Sequence, residues 1–163
     1  MLVATGGGLA AVRLLAPEAR VSGEREFRDV LEEAARQLQA YFSGTLQAFD
    51  LPLDLAGRTE FQSRVLAACR EIPYGTTVSY GELARRSGHP GAARAVGQVM
   101  ATNRLALVVP CHRVVASAGG LGGYGGGLAL KRRLLALERG QAGWGQVAGG
   151  EADSITGLSR IPR

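Results

Sequence analysis

The sequence predicts a mixed α+β fold in two parts. Its 163 residues suffice for one ordinary domain or two small ones with an apolar core. Segments of helical and strand periodicity follow one another, and the composition changes at residues 51–57, an extended stretch that contains proline. Apolar residues make up 46% and charged residues 20%, which excludes wholesale disorder, collagen and coiled coil. We therefore expect subdomains at 1–56 and 57–140, then a tail at 141–163 without periodicity.

The positive charge lies in the second part. Residues 1–56 hold five Arg and eight Asp or Glu, whereas residues 57–140 hold twelve Arg or Lys and four Asp or Glu. An anionic partner fits that imbalance. No apolar run approaches the roughly 20 residues of a membrane helix, and residues 1–8 lack the pattern of a secretory signal. The sequence thus predicts a cytoplasmic protein that does not enter a membrane.

The first part begins with a hairpin and a helix. Two short apolar runs, 2–4 and 9–15, flank the tract Gly6–Gly8, which is typical of a β-hairpin. From Glu24 to Phe42 apolar residues recur every three or four positions, which predicts an amphipathic helix.

Helices dominate the start of the second part. A capping box at 59–62 opens one helix, and a second box at 79–82 opens a short helix that we expect to stop at Gly88. Pro90 suits the first turn of the next helix, which runs through 93–100. Two short helices joined by a tight turn fit a DNA-binding helix-turn-helix or an ordinary helical hairpin, and their spacing leaves both open.

A continuous apolar run at 105–109 predicts a buried strand that Pro110 ends. Seven of the nine residues 119–127 are glycine. A helix with one apolar face then spans 128–139, and Gly140 is a suitable stop.

The two cysteines lie in different contexts. Cys69 belongs to an apolar helical stripe, where a free cysteine packs as a small core residue. Cys111 follows Pro110 and precedes His112 and Arg113 at the end of the predicted strand. Nearby cations raise the thiolate fraction of a cysteine, so a nucleophile is favoured over a buried structural thiol.

A nucleophile and base need a third group that orients the imidazole, and Glu138 is the one carboxylate between Arg113 and Gly140. A surface salt bridge with neighbouring basic residues is the alternative, and the sequence leaves it open. The Cys and His spacing gives no metal site. The glycine-rich loop contains G-x-G-x-x-G, but no acidic residue follows at the distance of a dinucleotide site, so we reject nucleotide binding.

The run Val109-Pro110-Cys111-His112-Arg113-Val114-Val115 resembles the active-site motif of the O6-alkylguanine-DNA alkyltransferases. Further matches extend the resemblance from about Thr59 to Glu138. They are Ile72-Pro73-Tyr74-Gly75, Val78-Ser79-Tyr80, Ala92-Ala93-Arg94-Ala95-Val96-Gly97, Asn103 and the loop Gly-Tyr-Gly-Gly-Gly. The resemblance implies an N-terminal ribonuclease-H-like α/β subdomain and a C-terminal winged helix-turn-helix subdomain that carries the active site.

The resemblance also assigns catalytic roles. Cys111 would accept an alkyl group, with its thiolate formed through a water held by His112, and Glu138 would orient His112. Asn103 would hold the active-site turn, and Tyr80 would face the lesion base and donate a proton to it. One molecule would then repair one lesion in single-turnover fashion, without metal or soluble cofactor.

The remaining implied residues contact DNA or the base. Arg94 would fill the gap left by a nucleotide flipped through the minor groove. The other implied DNA contacts are Gln62, Tyr80, His89, Ala92, Ala93, Ala95 and Ser117. The implied pocket residues are Val114, Gly122, Tyr124, Gly125 and Met100. The expected partner is double-stranded DNA containing O6-alkylguanine, with O4-alkylthymine as a further candidate lesion, and the expected state is a monomer.

Three other functions fit parts of the sequence. A lesion-binding relative without chemistry would lack Cys111, a Cys-His hydrolase would turn over, and a transcription factor would tolerate the loss of Cys111.

Overall fold

The computed structural model describes residues 1–14, 21–22, 27–117, 119–141 and 144. It contains short strands and five helices in these residues. The strands are β1 (Leu2–Thr5), β2 (Gly8–Val12), β3 (Val21–Ser22), β4 (Val78–Ser79) and β5 (Val114–Val115). The helices are α1 (Arg28–Phe42), α2 (Glu60–Arg70), α3 (Tyr80–Arg86), α4 (Ala93–Ala101) and α5 (Leu128–Glu138).

The predicted hairpin is confirmed. Strands β1 and β2 are antiparallel, and β3 adds to the other edge of β1 in parallel, which gives the order β2-β1-β3. Strand β2 ends at Val12 rather than at the predicted Leu15, which lies outside the described residues. Helix α1 begins at Arg28, and the part of its predicted range from 24 to 26 is likewise not described. Its apolar face is buried, as the periodicity predicted.

The stretch 51–57 joins the two halves along the edge of β2. The Leu9 amide donates to the Pro52 carbonyl at 2.8 Å, and the Asp54 amide donates to the Leu9 carbonyl at 3.0 Å. Gly8 makes this approach possible, because a Cβ there would lie 2.5 Å from the Pro52 carbonyl oxygen. The linker is therefore an extra strand-like edge of the first sheet.

The helix starts of the second half follow their caps, with two corrections. Thr59 caps α2 through the complete predicted box. At α3 only half of the box forms, because Ser79 accepts from the Glu82 amide while the Glu82 carboxylate binds arginines of its own helix. Pro90 is not in the first turn of α4, which begins at Ala93. Pro90 belongs instead to the turn between α3 and α4.

The predicted strand at 105–109 is wrong in conformation and right in burial. The segment folds into a turn in which the Val109 amide donates to the Leu105 carbonyl at 2.8 Å. Leu107 has a φ of 70°, a left-handed conformation that ends any extended run. Isolated bridges replace a strand, including one from Leu105 to Val12 of β2. The apolar run resembles a strand because four of its five residues are buried, and burial alone does not specify an extended chain.

One apolar core connects both halves, and Cys69 is buried in it as predicted. Leu130, Leu134 and Leu137 form the buried face of α5, and Gly140 follows with a φ of 66°. Most of the predicted tail lies outside the described residues. Trp144 is described, and its ring centroid lies 4.5 Å from that of Phe42. No helix in the described ranges has the length and apolar character that crossing a bilayer requires.

Candidate active site

The active-site turn presents Cys111 at the start of a 3-10 turn over Cys111–Arg113. The Cys111 amide donates to the Val109 carbonyl at 2.7 Å, and Cys111 is 6% exposed. The turn runs directly into β5, which pairs in parallel with β4. The 3-10 turn places Cys111 and His112 at consecutive positions of one turn, not along an extended strand.

Asn103 fastens this turn from one side. Its Nδ2 group donates to the Val109 carbonyl at 3.0 Å and to Cys111 Sγ at 3.2 Å, and its Oδ1 accepts from the Leu105 amide at 3.0 Å. One amide side chain therefore spans the turn and donates to the sulfur. Burial raises the pKa of the Cys111 thiol, and this hydrogen bond opposes that rise because it favours the thiolate.

Burial has the larger effect on Cys111 and raises the pKa of its thiol above the ordinary value. Lys131 opposes the shift through its charge. The thiol form therefore prevails at neutral pH, and formation of the thiolate would require a base.

His112 is completely buried and is held by Glu138, with 2.7 Å between His112 Nε2 and Glu138 Oε1. An ionised carboxylate accepts, so Nε2 carries the proton and Nδ1 carries the lone pair. His112 Nδ1 is buried and has no hydrogen-bond partner among the described residues. Burial lowers the pKa of His112, which outweighs the opposite effect of Glu138. A neutral imidazole with a free acceptor nitrogen thus lies one residue from the thiol.

Glu138 is 5% exposed, so the surface salt bridge that the sequence left open is not what forms. Arg113 Nε and Nη2 both donate to the carboxylate at 2.9 Å, and the Gly75 amide donates to Oε2 at 3.1 Å. The Tyr41 hydroxyl donates to Oε1 at 2.7 Å. Burial alone would raise the pKa of Glu138, but hydrogen bonds, chiefly from His112 and Arg113, lower it to about 2. The carboxylate is therefore ionised throughout the physiological pH range.

Gly75 belongs to the Ile72–Gly75 motif, and the structure explains its presence. Its φ is 74°, and a Cβ there would lie 3.0 Å from the Glu138 carbonyl oxygen. Glycine allows the chain to place its amide against the carboxylate.

Tyr80 lies between α4 and the glycine-rich loop. A Cβ at Gly122 would lie 2.7 Å from the Tyr80 ring, and one at Gly97 of α4 would lie 3.9 Å from it. The Tyr80 hydroxyl donates to the Gly123 carbonyl at 3.3 Å. Burial and then the neighbouring Cys111 raise the pKa of Tyr80, so the hydroxyl keeps its proton.

Lys131 organises the same loop and is fully buried. Its ammonium donates to the carbonyl oxygens of Val114, Leu121 and Gly123. These bonds connect α5, β5 and the loop above Cys111, and they place a positive charge close to the sulfur.

The predicted pocket residues enclose this region to different degrees. Met100 and Val114 are buried, Gly122 and Tyr124 are half-buried, and Gly125 is exposed. Tyr124 has a raised pKa because of burial and then Cys111, and its hydroxyl is buried without a partner among the described residues.

The predicted DNA contacts surround the helix-turn-helix on α3 and α4. Arg94 is exposed in the first turn of α4 and makes no ion pair within the described part of the chain. Ala92, Ala93 and Ala95 are half-buried, and Ser117 is exposed. Gln62 is partly committed to structure, because its Oε1 accepts from the Thr59 amide at 3.0 Å. His89 is half-buried with its ring centroid 4.8 Å from that of Phe61.

The sequence interpretation assigned no role to Tyr41, Gly75 or Lys131, and it expected Arg113 to act on the thiol of Cys111 and not on Glu138. Lys131 had a detectable pattern, because it lies seven positions before Glu138 and both flank Leu134 on one helix face. Tyr41 had none, since its contact with Glu138 joins residues 97 positions apart. In the described residues no cluster of three or more His, Cys, Asp or Glu side chains could hold a metal ion.

Comparison with known proteins agrees with this architecture. The family model for the 6-O-methylguanine DNA methyltransferase DNA binding domain matches residues 60–140, and that for its ribonuclease-like domain matches residues 1–55. Fold and site together define a mixed α/β protein in which a ribonuclease-like domain precedes a DNA-binding domain with a buried cysteine. The chain belongs to the 6-O-methylguanine DNA methyltransferase family, which confirms the resemblance and the fold class.

Individual relatives support the assignment. The methylated-DNA--protein-cysteine methyltransferase of Mycolicibacterium paratuberculosis is 59% identical over 106 residues, which cover 65% of this chain and 64% of that protein. The alignment therefore spans slightly less than two thirds of that relative. The protein of the same name from Methanosarcina acetivorans is 50% identical over 122 residues, 75% of each chain. The crystal structure of Mycobacterium tuberculosis OGT in complex with DNA has a TM-score of 0.76 and 43% identity, covering 91% of this chain and 92% of that one.

Proposed function

We propose that this protein repairs DNA by direct reversal, moving the alkyl group of O6-alkylguanine irreversibly to Cys111. One observation carries the proposal: a buried cysteine, held by Asn103, is followed on the same turn by a histidine whose free Nδ1 faces no described partner. The name of the relatives and the DNA in the related crystal structure support the substrate class.

DNA binding is assigned to the helix-turn-helix. The lesion lies within base-paired DNA, so the nucleotide must leave the stack through the minor groove at a cost of a few kcal/mol. Arg94 fills the vacated position, and the half-buried Ala92, Ala93 and Ala95 let the helix approach closely. Gln62, His89, Ser117 and Tyr80 are the proposed further contacts to DNA.

The transfer begins with loss of the Cys111 proton. A water molecule relays that proton to His112 Nδ1, and Glu138 stabilises the imidazolium that results through its bond to Nε2. Cys111 Sγ then attacks the alkyl carbon, so that an S–C bond forms while the C–O bond to guanine breaks. The electron pair of the broken bond moves into the guanine ring.

Tyr80 completes the step by donating a proton to the departing base, and the proton held on His112 returns through solvent to the tyrosinate. Tyr80 lies against Gly122, and Tyr124, Gly125, Met100 and Val114 complete the proposed pocket. The product is a thioether, which has no easy leaving path. Each molecule acts once, and the step as written requires neither metal nor soluble cofactor.

The proposal also covers the domains, the location and the partner. Residues 1–56 form the ribonuclease-H-like subdomain, residues 57–140 the winged helix-turn-helix domain with the active site, and residues 141–163 a tail. We place the protein in the cytoplasm as a monomer on double-stranded DNA, and O4-alkylthymine is a second candidate lesion.

Peptide mapping tests the proposal. The protein is incubated with a duplex that contains one O6-methylguanine, digested and examined by mass spectrometry. We expect one methyl group on the Cys111 peptide and none on the Cys69 peptide, because Cys69 is fully buried in α2 and its pKa is raised by burial.

Two variants control the experiment. Cys69→Ser should retain methyl transfer, and Cys111→Ser should abolish it while leaving the lesion in the DNA. Recovery of an unmodified Cys111 peptide after the lesion has disappeared would exclude the proposed acceptor.

A further inference from the structure

A side chain from the first half of the chain, Tyr41, contacts residues of the proposed site. Tyr41 lies near the C-terminal end of α1 and is 0% exposed. Its hydroxyl donates to Glu138 Oε1 at 2.7 Å, the same oxygen that lies 2.7 Å from His112 Nε2. The hydroxyl oxygen is 3.4 Å from that nitrogen. Tyr41 and His112 thus share a single carboxylate oxygen.

This shared oxygen has electrostatic consequences. A hydrogen bond from a neutral hydroxyl withdraws negative charge from the carboxylate oxygen that it binds. Oε1 therefore attracts the proton on His112 less strongly with the Tyr41 hydroxyl present than without it. Burial, and next Glu138, raise the pKa of Tyr41, so its hydroxyl stays a donor over the working pH range.

We propose that Tyr41 is a positioning residue for alkyl transfer, whose hydroxyl moderates Glu138 so that His112 stays a neutral base in mildly acidic solution. This inference rests on the proposed role of His112 as acceptor of the Cys111 proton. It makes a residue of the ribonuclease-like domain part of the site in the DNA-binding domain.

Other charged and titratable groups face His112 and are unchanged by altering Tyr41. They are Glu138 and Lys131 from α5, and Cys111 and Arg113 from its own turn. Tyr74 lies beside them, with its ring 6.0 Å from Tyr41 and under the Arg113 guanidinium. The Tyr74 hydroxyl makes no hydrogen bond to any residue that the structure describes. Tyr74→Phe is therefore a matched loss of a hydroxyl from the same cluster.

The experiment measures the rate of methyl transfer against pH with a saturating duplex that contains one O6-methylguanine. The full chain is compared with Tyr41→Phe and Tyr74→Phe, each well below its unfolding temperature. Protonated His112 cannot accept the Cys111 proton, so the rate of the wild-type protein should fall on the acid side as His112 protonates. In Tyr41→Phe this acid limb should move up by about half a pH unit. At pH values below the acid limbs of both proteins, the transfer rate of Tyr41→Phe should be about threefold lower than that of the wild type. Well above those limbs the two rates should be equal. The pH profile of the transfer rate of Tyr74→Phe should superpose on that of the wild type.

A second variant keeps the inference testable if Tyr41→Phe weakens the fold. Replacing Tyr41 by 3-fluorotyrosine keeps the ring and hydroxyl but makes the hydroxyl a stronger donor, so the acid limb should move down. An unmoved limb in these Tyr41 variants, or a loss of rate that is the same at all pH values, would overturn the inference and leave Cys111 transfer intact. Absence of transfer in the wild-type protein would instead overturn the proposed function.

Discussion

Replacing Glu138 by glutamine should remove several kcal/mol of folding free energy, because the carboxylate is buried and surrounded by donors. Its oxygens accept hydrogen bonds from four groups, namely His112, Tyr41, Arg113 and the Gly75 amide. An amide offers one acceptor and one donor group, so its NH2 must face a donor in either orientation. The Arg113 guanidinium, whose side chain is 5% accessible, also loses its counter-charge.

Two routes give the magnitude. Removing one partner of a buried ion pair costs about 3–5 kcal/mol. The shift of the Glu138 pKa from 4.5 to about 2 corresponds to a contribution on the order of 3 kcal/mol above pH 4.5. We expect Glu138→Gln to lose about 3–4 kcal/mol on these two grounds.

Urea unfolding at neutral pH measures the loss, with Glu60→Gln as control. Glu60 pairs with Arg64 on the surface, where the side chains are 79% and 58% accessible, and such a pair contributes about 0–1 kcal/mol. A loss for Glu138→Gln no larger than that of the control would refute the account of the buried network.

The same comparison has a defined pH dependence. The folded-state pKa of Glu138 is below its unfolded value, so its stabilising contribution is complete above about pH 4.5 and declines as pH falls toward 2. The difference in unfolding free energy between wild type and Glu138→Gln should therefore narrow over that interval. A difference that stays constant from pH 5 to pH 3 would contradict the assigned pKa.

Further predictions concern the loop and the DNA. Gly122→Ala should lower the free energy of unfolding by about 1–3 kcal/mol or displace Tyr80 and slow transfer, because the new Cβ would lie 2.7 Å from the Tyr80 ring and φ is 66°. Gly97→Ala is the control, because its Cβ would lie 3.9 Å from that ring, and it should unfold at the same urea concentration as the wild type or at a higher one. Arg94→Ala should slow repair of duplex DNA about tenfold or more and leave transfer from a single-stranded oligonucleotide unchanged. The control variant Arg85→Ala should leave both rates within about twofold of the wild type. Equal losses of rate on both substrates for Arg94→Ala would contradict the role proposed for Arg94. Duplex affinity should fall as salt rises, and a salt-independent Kd would argue against phosphate contacts.

The sequence predicted those elements that local chemistry specifies. Helix α2 begins at the box of Thr59, and α5 ends at Glu138, just before the predicted stop at Gly140, because capping groups and glycine act over a few residues. The 105–109 run was misjudged because its conformation depends on Asn103 and on the edge of β2, which are tertiary neighbours.

The residues of the candidate site also differ in how far the sequence alone predicts them. The Cys111-His112 pair and Glu138 were found from residue type, spacing and resemblance to a known family. The spacing alone left Glu138 open, because whether a carboxylate is buried depends on Arg113 and on packing across the whole molecule. Tyr41 required the assembled fold, since no local pattern distinguishes it from an ordinary core tyrosine.

The central claim is that Cys111 takes one alkyl group and keeps it, and a stoichiometric titration measures this directly. A duplex with isotopically labelled O6-methylguanine is added in excess, and the label bound to protein and the methyl lost from DNA are counted together. We predict that both quantities reach one per active molecule and stop, that Cys69→Ser behaves like the wild type, and that Cys111→Ser binds no label. Continued loss of methyl from DNA beyond one per molecule, or label retained by Cys111→Ser, would contradict it.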